Sequence, residues 1–237
     1  MSHSSRTRAR TSFAASAGAQ TRATGAAASR RVAATRHAPH QVRLIGGIWK
    51  RTPLPVLDLA GLRPTPDRVR ETLFNWLGQQ LDGLVCLDLF AGTGALGFEA
   101  ASRGAQRVVM VERDARAAAQ LGAIRQKLDA QAIDIVQADA LRLAAGLAPA
   151  GFDIVFLDPP FDADLLGRAL TLVLPLVAPG GAIYVESGAP LAAVLDAQAQ
   201  QGVAATPGWP SLQGWRIVRH ARAGAVHYHL LRRENGE

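Results

Sequence analysis

Val85-Cys86-Leu87-Asp88-Leu89-Phe90-Ala91-Gly92-Thr93-Gly94-Ala95-Leu96-Gly97 decides the fold of this chain. A short apolar run enters a glycine turn, and the pattern predicts a helix starting near Leu96. Glycine is needed where backbone approaches a ligand closely or takes a positive φ. The helix that follows offers free N–H groups to a carboxylate or phosphate. Gly92-x-Gly94-x-x-Gly97 also fits the dinucleotide fingerprint, and Glu112 lies 20 residues beyond Gly92, ending the run Val108-Val109-Met110-Val111. On this segment alone an NAD-dependent oxidoreductase stays open. Two details weigh against it. The first glycine of that fingerprint follows its strand almost directly, whereas Leu89, Phe90 and Ala91 separate Asp88 from Gly92. An acidic group so close repels a pyrophosphate but suits a ligand carrying a cationic sulfonium and an amino group.

Outward from this turn, strands are predicted at 84–89, 107–112, 133–137, 152–157 and 181–186, separated by helix-length segments at 95–103, 114–129 and 163–177. The alternation implies a doubly wound parallel sheet. Trp215–His220 and Val226–Leu231 are two alternating runs joined by a glycine-containing turn, expected as a terminal antiparallel hairpin. Ligands of such sheets bind beyond the carboxyl ends of strands, where strand order reverses. The first and fourth strands of the series flank that point. The loop after Asp88 and the one at Asp158 are therefore expected to face each other, with Asp139 arriving from the third loop.

Asp158-Pro159-Pro160-Phe161 ends the apolar run Phe152-Asp153-Ile154-Val155-Phe156-Leu157. Each proline lacks an N–H and restricts the residue before it, so the strand stops abruptly. A carboxylate, a fixed carbonyl and an aromatic face are then held together, a set that suits a flat, amine-bearing base. Taken alone, Asp-Pro-Pro reads equally well as a strand-ending turn whose Asp caps the next helix.

Together, the glycine turn, Glu112, Asp139 and Asp-Pro-Pro-Phe resemble a class I S-adenosylmethionine-dependent methyltransferase acting on an exocyclic amine. Arg43-Leu44-Ile45-Gly46-Gly47-Ile48-Trp49-Lys50 and Leu62-Arg63-Pro64-Thr65-Pro66-Asp67-Arg68-Val69-Arg70-Glu71-Thr72-Leu73-Phe74-Asn75-Trp76 are similar to the RsmD family over about residues 42–232. That family comprises bacterial 16S rRNA guanine-N2 methyltransferases. The resemblance implies an α/β fold: a doubly wound, mostly parallel seven-stranded Rossmann-like sheet with a C-terminal antiparallel hairpin and a small N-terminal extension. It divides the chain into a basic tail (1–41), an RNA-facing hairpin and helix (42–78) and a methyltransferase domain (79–237). It also implies roles. Asp88, Gly92 and Gly94 line the methionine and ribose part of S-adenosylmethionine, and Phe90 also belongs to the cofactor site. Glu112 accepts from the ribose hydroxyls, and Asp139 contacts the adenine amine. Asp158 and the Pro159 carbonyl hold the guanine N2 amine while Phe161 stacks on the base. The substrate is implied to be 16S rRNA of the small ribosomal subunit. The same chemistry on adenine N6 in DNA or on another RNA stays open, as does a non-catalytic nucleotide-binding or ribosome-associated module.

Composition agrees with an RNA partner. The net charge is +7, but residues 1–43 hold eight arginines and no acid, leaving 18 basic and 19 acidic residues in the remainder. The Ala/Ser/Thr/Arg-rich tail has the composition of a disordered arm. It reads as a source of unspecific phosphate contacts, as a dispensable solvated extension, or as a transit peptide. Arg43, Lys50, Arg51, Arg63, Arg68 and Arg70 precede the first sheet strand and form the candidate RNA-facing set, with Trp49 as a stacking group. Some of these arginines are expected to pair instead with Asp67 or Glu71 at a helix start. The single Cys86 permits no disulfide within the chain, which agrees with a reducing cytosol and a cytoplasmic location. No run of 18 apolar residues occurs, and the best candidate, 169–178, is broken by Pro175. His227 and His229 share a strand face without a third ligand in sequence, so no metal is expected. Nothing in the sequence demands more than a monomer.

Overall fold

The computed structural model describes residues 41–59, 64–160, 163–200 and 212–234. The tail through residue 40, Arg63, Phe161 and Trp209 lie outside the described residues. Two short strands, β1 (Gln41–Arg43) and β2 (Pro53–Pro55), pair antiparallel and precede helix α1 (Asp67–Leu77). Then come β3 (Val85–Asp88), α2 (Ala95–Ser102), β4 (Arg107–Glu112), α3 (Ala115–Lys127), β5 (Ile133–Gln137), α4 (Ala140–Ala144) and β6 (Phe152–Leu157). The remaining elements are α5 (Ala163–Val173), β7 (Val177–Ser187), α6 (Leu191–Gln200), β8 (Trp215–Ala223) and β9 (Val226–Arg233).

Seven strands form one sheet in the order β5-β4-β3-β6-β7-β9-β8. The first five are mutually parallel, while β9 runs antiparallel to both β7 and β8. Strand order reverses between β3 and β6, so the crevice opens between the loops leaving those two strands. All five predicted parallel strands and the terminal hairpin are present. One boundary differs. The helix expected to reach 177 stops at Val173, and Leu174–Leu176 form a 3₁₀ turn leading directly into β7. Pro175 lacks the N–H that a continuing α-helix needs, so the chain tightens and turns there.

Alternation sorts the strand residues between two cores. Cys86, Phe156 and Tyr184 face α2, α3 and the N-terminal segment, where Leu44, Leu54, Leu73 and Phe74 join them. Leu87, Val155, Leu157 and Val185 face the opposite layer, with Leu166, Leu170 and Leu191. Helix α1 buries Val69, Leu73 and Phe74 on one stripe, each contributing about 2 kcal/mol by leaving water. The segment before the sheet is therefore built into the same core as the sheet.

Its polar anchor corrects one expectation. Arg70, predicted on the RNA-facing surface, is fully buried. Its guanidinium donates to Glu99 Oε2 (3.1 Å), Asp67 Oδ1 (2.7 Å) and the carbonyls of Thr65 (3.1 Å) and Arg43 (2.7 Å). The expected pairing with Asp67 is real, but the side chain points inward because Glu99, also buried, needs a cation. Arg103 donates to the other oxygen of Glu99 at 2.9 Å. The turn between β1 and β2 docks on the end of α2: Ile48 N–H donates to the Ser102 carbonyl (2.8 Å) and Trp49 N–H to Ser102 Oγ (2.9 Å). Gly47, at φ 70°, permits this approach, since a Cβ there would lie 1.7 Å from the Ser102 carbonyl oxygen.

Candidate active site

The glycine turn is held from three sides. Gly92 and Gly94 both take left-handed backbone, at φ 52° and 77°, a conformation that favours glycine. Gly92 N–H donates to Glu112 Oε2 (2.9 Å), and Glu112 Oε1 accepts from Asp114 N–H (2.8 Å). The carboxylate at the end of β4 thus joins the turn to the start of α3. Leu57, from the segment after β2, lines a small cavity together with Gly92, Thr93 and Leu121, and the Gln120 amide donates to the Pro55 carbonyl. Leu57 was not among the candidates; an aliphatic residue in a loop carries no sign of the turn it will meet. Phe90 is half-buried against the second core.

Asp88 lies beneath the turn rather than on its open face. It is buried, and its Oδ2 accepts from Gly97 N–H at 2.9 Å. A side chain at position 97 would crowd this contact, its Cβ falling 2.8 Å from Met110 and 3.0 Å from Asp88 Oδ2. Burial pushes the Asp88 carboxyl up to about 7, against the pull of the Gly97 N–H and with further help from Glu112. The folded state thus prefers the protonated acid, whose ordinary value is about 3.9. The stability this gives is full below about pH 4 and is lost as pH rises through about 7. Asp88→Asn keeps an acceptor for Gly97 and cannot ionise. Urea denaturation is expected to show the variant gaining stability over the native chain between pH 4 and 7.

Asp139 is exposed and caps α4, its Oδ1 accepting from Arg142 N–H at 2.9 Å. Asp158 follows β6, as expected, on the far side of the crevice. Its surroundings hold residues that the sequence reading missed. β6 and β7 pair with Leu157 opposite Val185, so Asp158 and Glu186 come next in register on one face. Glu186 is buried and accepts from the Tyr184 hydroxyl at 2.7 Å. The buried Thr65 side chain lies beside both carboxylates and favours their charged forms. Burial first, then the neighbouring Glu186 and Asp88, hold the Asp158 carboxyl well above the usual carboxylate range. Among the described residues no ion pair involves Asp88, Asp158 or Glu186. One sequence signal was available for Glu186: an acid two residues after Tyr184, on the core face of a strand predicted to be buried.

Of the RNA-facing candidates, Arg43, Lys50, Arg51 and Arg68 are exposed and Trp49 is half-buried. Arg43 approaches Asp67 at 3.6 Å. Ile48 beside them is 80% exposed. On β8 and β9, His220 stacks on both His227 and His229. Among the described residues no cluster of His, Cys, Asp and Glu could hold a metal ion, and no helix is long and apolar enough to cross a membrane.

A family model described as Conserved hypothetical protein 95 matches residues 42–232. The chain belongs to this family. The resemblance to RsmD read from the sequence is borne out. Ribosomal RNA small subunit methyltransferase D of Escherichia coli K12 is 39% identical over 196 residues, covering 82% of this chain and 91% of that protein. Its namesake in Haemophilus influenzae is 37% identical over 201 residues, covering 83% and 96%. The solved structure of yhhF from Escherichia coli matches with TM-score 0.66 and 38% identity, covering 83% of this chain and 99% of that one. The sheet order and these neighbours establish the class I methyltransferase fold for this member of the family.

Proposed function

We propose that the chain transfers a methyl group from S-adenosylmethionine to the exocyclic N2 amine of a guanine in 16S rRNA. The observation that carries this reading is Asp158 at the end of β6, across the strand-order reversal from the glycine turn after β3. The relatives named ribosomal RNA small subunit methyltransferase D support the substrate class. The residues present fit the cofactor. Gly92 and Gly94 give the turn its tight left-handed backbone, Glu112 stands at the end of β4 for ribose hydroxyls, and the buried Asp88 and Glu186 with the half-buried Asp158, none paired with a cation among the described residues, suit a sulfonium. Asp139 is assigned to the adenine amine and Phe90 to the wall of the cofactor pocket beside the glycine turn.

When bound, the cofactor supplies an electrophilic methyl group. The chain's own work is positional. An aromatic amine is a poor nucleophile because its lone pair is delocalised into the ring. Asp158 and the Pro159 carbonyl, accepting its two hydrogens, favour pyramidal nitrogen, and Phe161 holds the ring plane. Fixing the nitrogen in line for displacement provides much of the acceleration. A paired guanine must be turned out of its helix to reach Asp158. Arg43, Lys50, Arg51 and Arg68, with Trp49, are assigned to the RNA backbone around the target, and such contacts weaken as salt rises.

The deciding experiment is methyl transfer from labelled S-adenosylmethionine to small ribosomal subunits lacking the modification, with the product nucleoside identified by mass spectrometry. N2-methylguanosine at a single 16S position is expected. N6-methyladenosine, or S-adenosylhomocysteine binding without label in any RNA, would overturn the assignment.

A further inference from the structure

We propose that Glu186 is a positioning residue for Asp158, the two side chains being held side by side so that they share a single proton and act as one acceptor. The inference rests on the reading of Asp158 as the group that meets the amine. Its geometry does not. The register of β6 and β7 sets the two positions next to each other on one face, on neighbouring strands that lie roughly 5 Å apart. Glu186 is 4% exposed and Thr65 6%, so water does little to separate the charges. The pair is boxed in. Tyr184 donates to Glu186 from two residues earlier on β7, and the buried Thr65 lies beside both acids. Thr65 itself is fixed through its carbonyl by Arg70 Nε at 3.1 Å.

The groups acting on the pair are Asp88 from β3, Tyr184 from β7, Tyr228 from β9 through Tyr184, and Thr65 from the segment before α1. None of these is a cation. Two adjacent carboxylates, Glu186 buried and Asp158 half-buried, cannot both ionise cheaply without a cation, and their protons come off as a pair. Burial raises both acids, and the neighbouring Glu186 and Asp88 raise Asp158 further.

One retained proton balances the reaction. The singly negative pair faces a singly positive sulfonium. As the N–CH3 bond forms and the C–S bond breaks, the electron pair stays on sulfur and the nitrogen's proton passes to Asp158. The pair then holds two protons opposite a neutral thioether, and the extra proton leaves to solvent. The charge of the pocket stays constant through transfer. An isolated Asp158 would reach the same balance, but it would ionise lower and accept that proton less readily.

The test is a carboxyl ¹³C NMR titration of the full chain without ligand, with Asp158 assigned from the Asp158→Asn spectrum. The native chain is expected to show Asp158 titrating in two coupled steps, the upper one above the ordinary carboxylate range. In Glu186→Gln, which keeps an acceptor for Tyr184, Asp158 should titrate in one step at least one pH unit lower. An Asp158 titration identical in the two proteins would overturn the proposal. If Glu186→Gln does not fold, Tyr184→Phe removes only the phenol donor; Glu186 should then hold the shared proton more firmly and Asp158 should titrate lower, and an unmoved Asp158 is equally fatal. In transfer assays Glu186→Gln should shift the acid limb of kcat down by at least one pH unit while S-adenosylhomocysteine affinity changes less than twofold. If the native chain methylates nothing, the proposed function fails while the titration still decides the pairing.

Discussion

Asp158→Ala is expected to lower the rate of methyl transfer by about 10²–10⁴-fold, the range typical of removing a positioned proton-accepting group. S-adenosylhomocysteine affinity should stay close to that of the native chain. The separation follows from the topology. Asp158 leaves β6, whereas the glycine turn and Glu112 leave β3 and β4 and are tied together by the Gly92–Glu112 hydrogen bond. Nothing in that turn leans on the Asp158 carboxylate. Single-turnover transfer and calorimetric binding measure the two effects independently. A large loss of cofactor affinity in the variant would mean that the base pocket has been placed on the wrong loop.

Arg70→Met should destabilise the protein by about 3 kcal/mol, measured by urea denaturation. Breaking a buried ion pair from one side typically costs 3–5 kcal/mol. The lower end applies because Arg103 remains on Glu99. Methionine restores most of the volume but none of the four hydrogen bonds, which leaves the Thr65 and Arg43 carbonyls without their donor. For a domain of this size the loss corresponds to roughly 10 °C in Tm. A surface arginine bound for RNA would instead change stability by less than about 0.5 kcal/mol, so the two placements of Arg70 predict clearly different melts.

Arg70 also shows where the sequence stops being legible. The parallel strands could be read because buried strands are continuous apolar runs, and the crevice because glycine turns and Asp-Pro-Pro punctuate those runs. The candidate cofactor residues followed from strand ends. By contrast, a guanidinium among other basic residues looks the same in sequence whether it meets a phosphate or a buried carboxylate. Its partner, Glu99, lies 29 residues away on α2, and no local periodicity connects them. Thr65 and Glu186 were missed for the same reason. They join Asp158 through strand register and the packing of a segment from before the sheet, both tertiary facts. Asp88 illustrates a subtler gap: its position beside the turn was legible, but not that it would face inward onto Gly97.

The way the segment before β3 shares the sheet's core has a consequence for how the protein comes into being on the ribosome. Chains emerge N-terminus first, at about 5–20 residues per second. Val42, Leu44 and Leu54 therefore wait without a surface to bury them until α2 brings Glu99 and Phe98. The pocket waits longer, because Thr65 is made early while Asp158 and Glu186 come from β6 and β7. β9, which flanks β7, is made last of the strands. The proposed Asp158–Glu186 pair is thus assembled near the end of synthesis, long after Thr65 has been made.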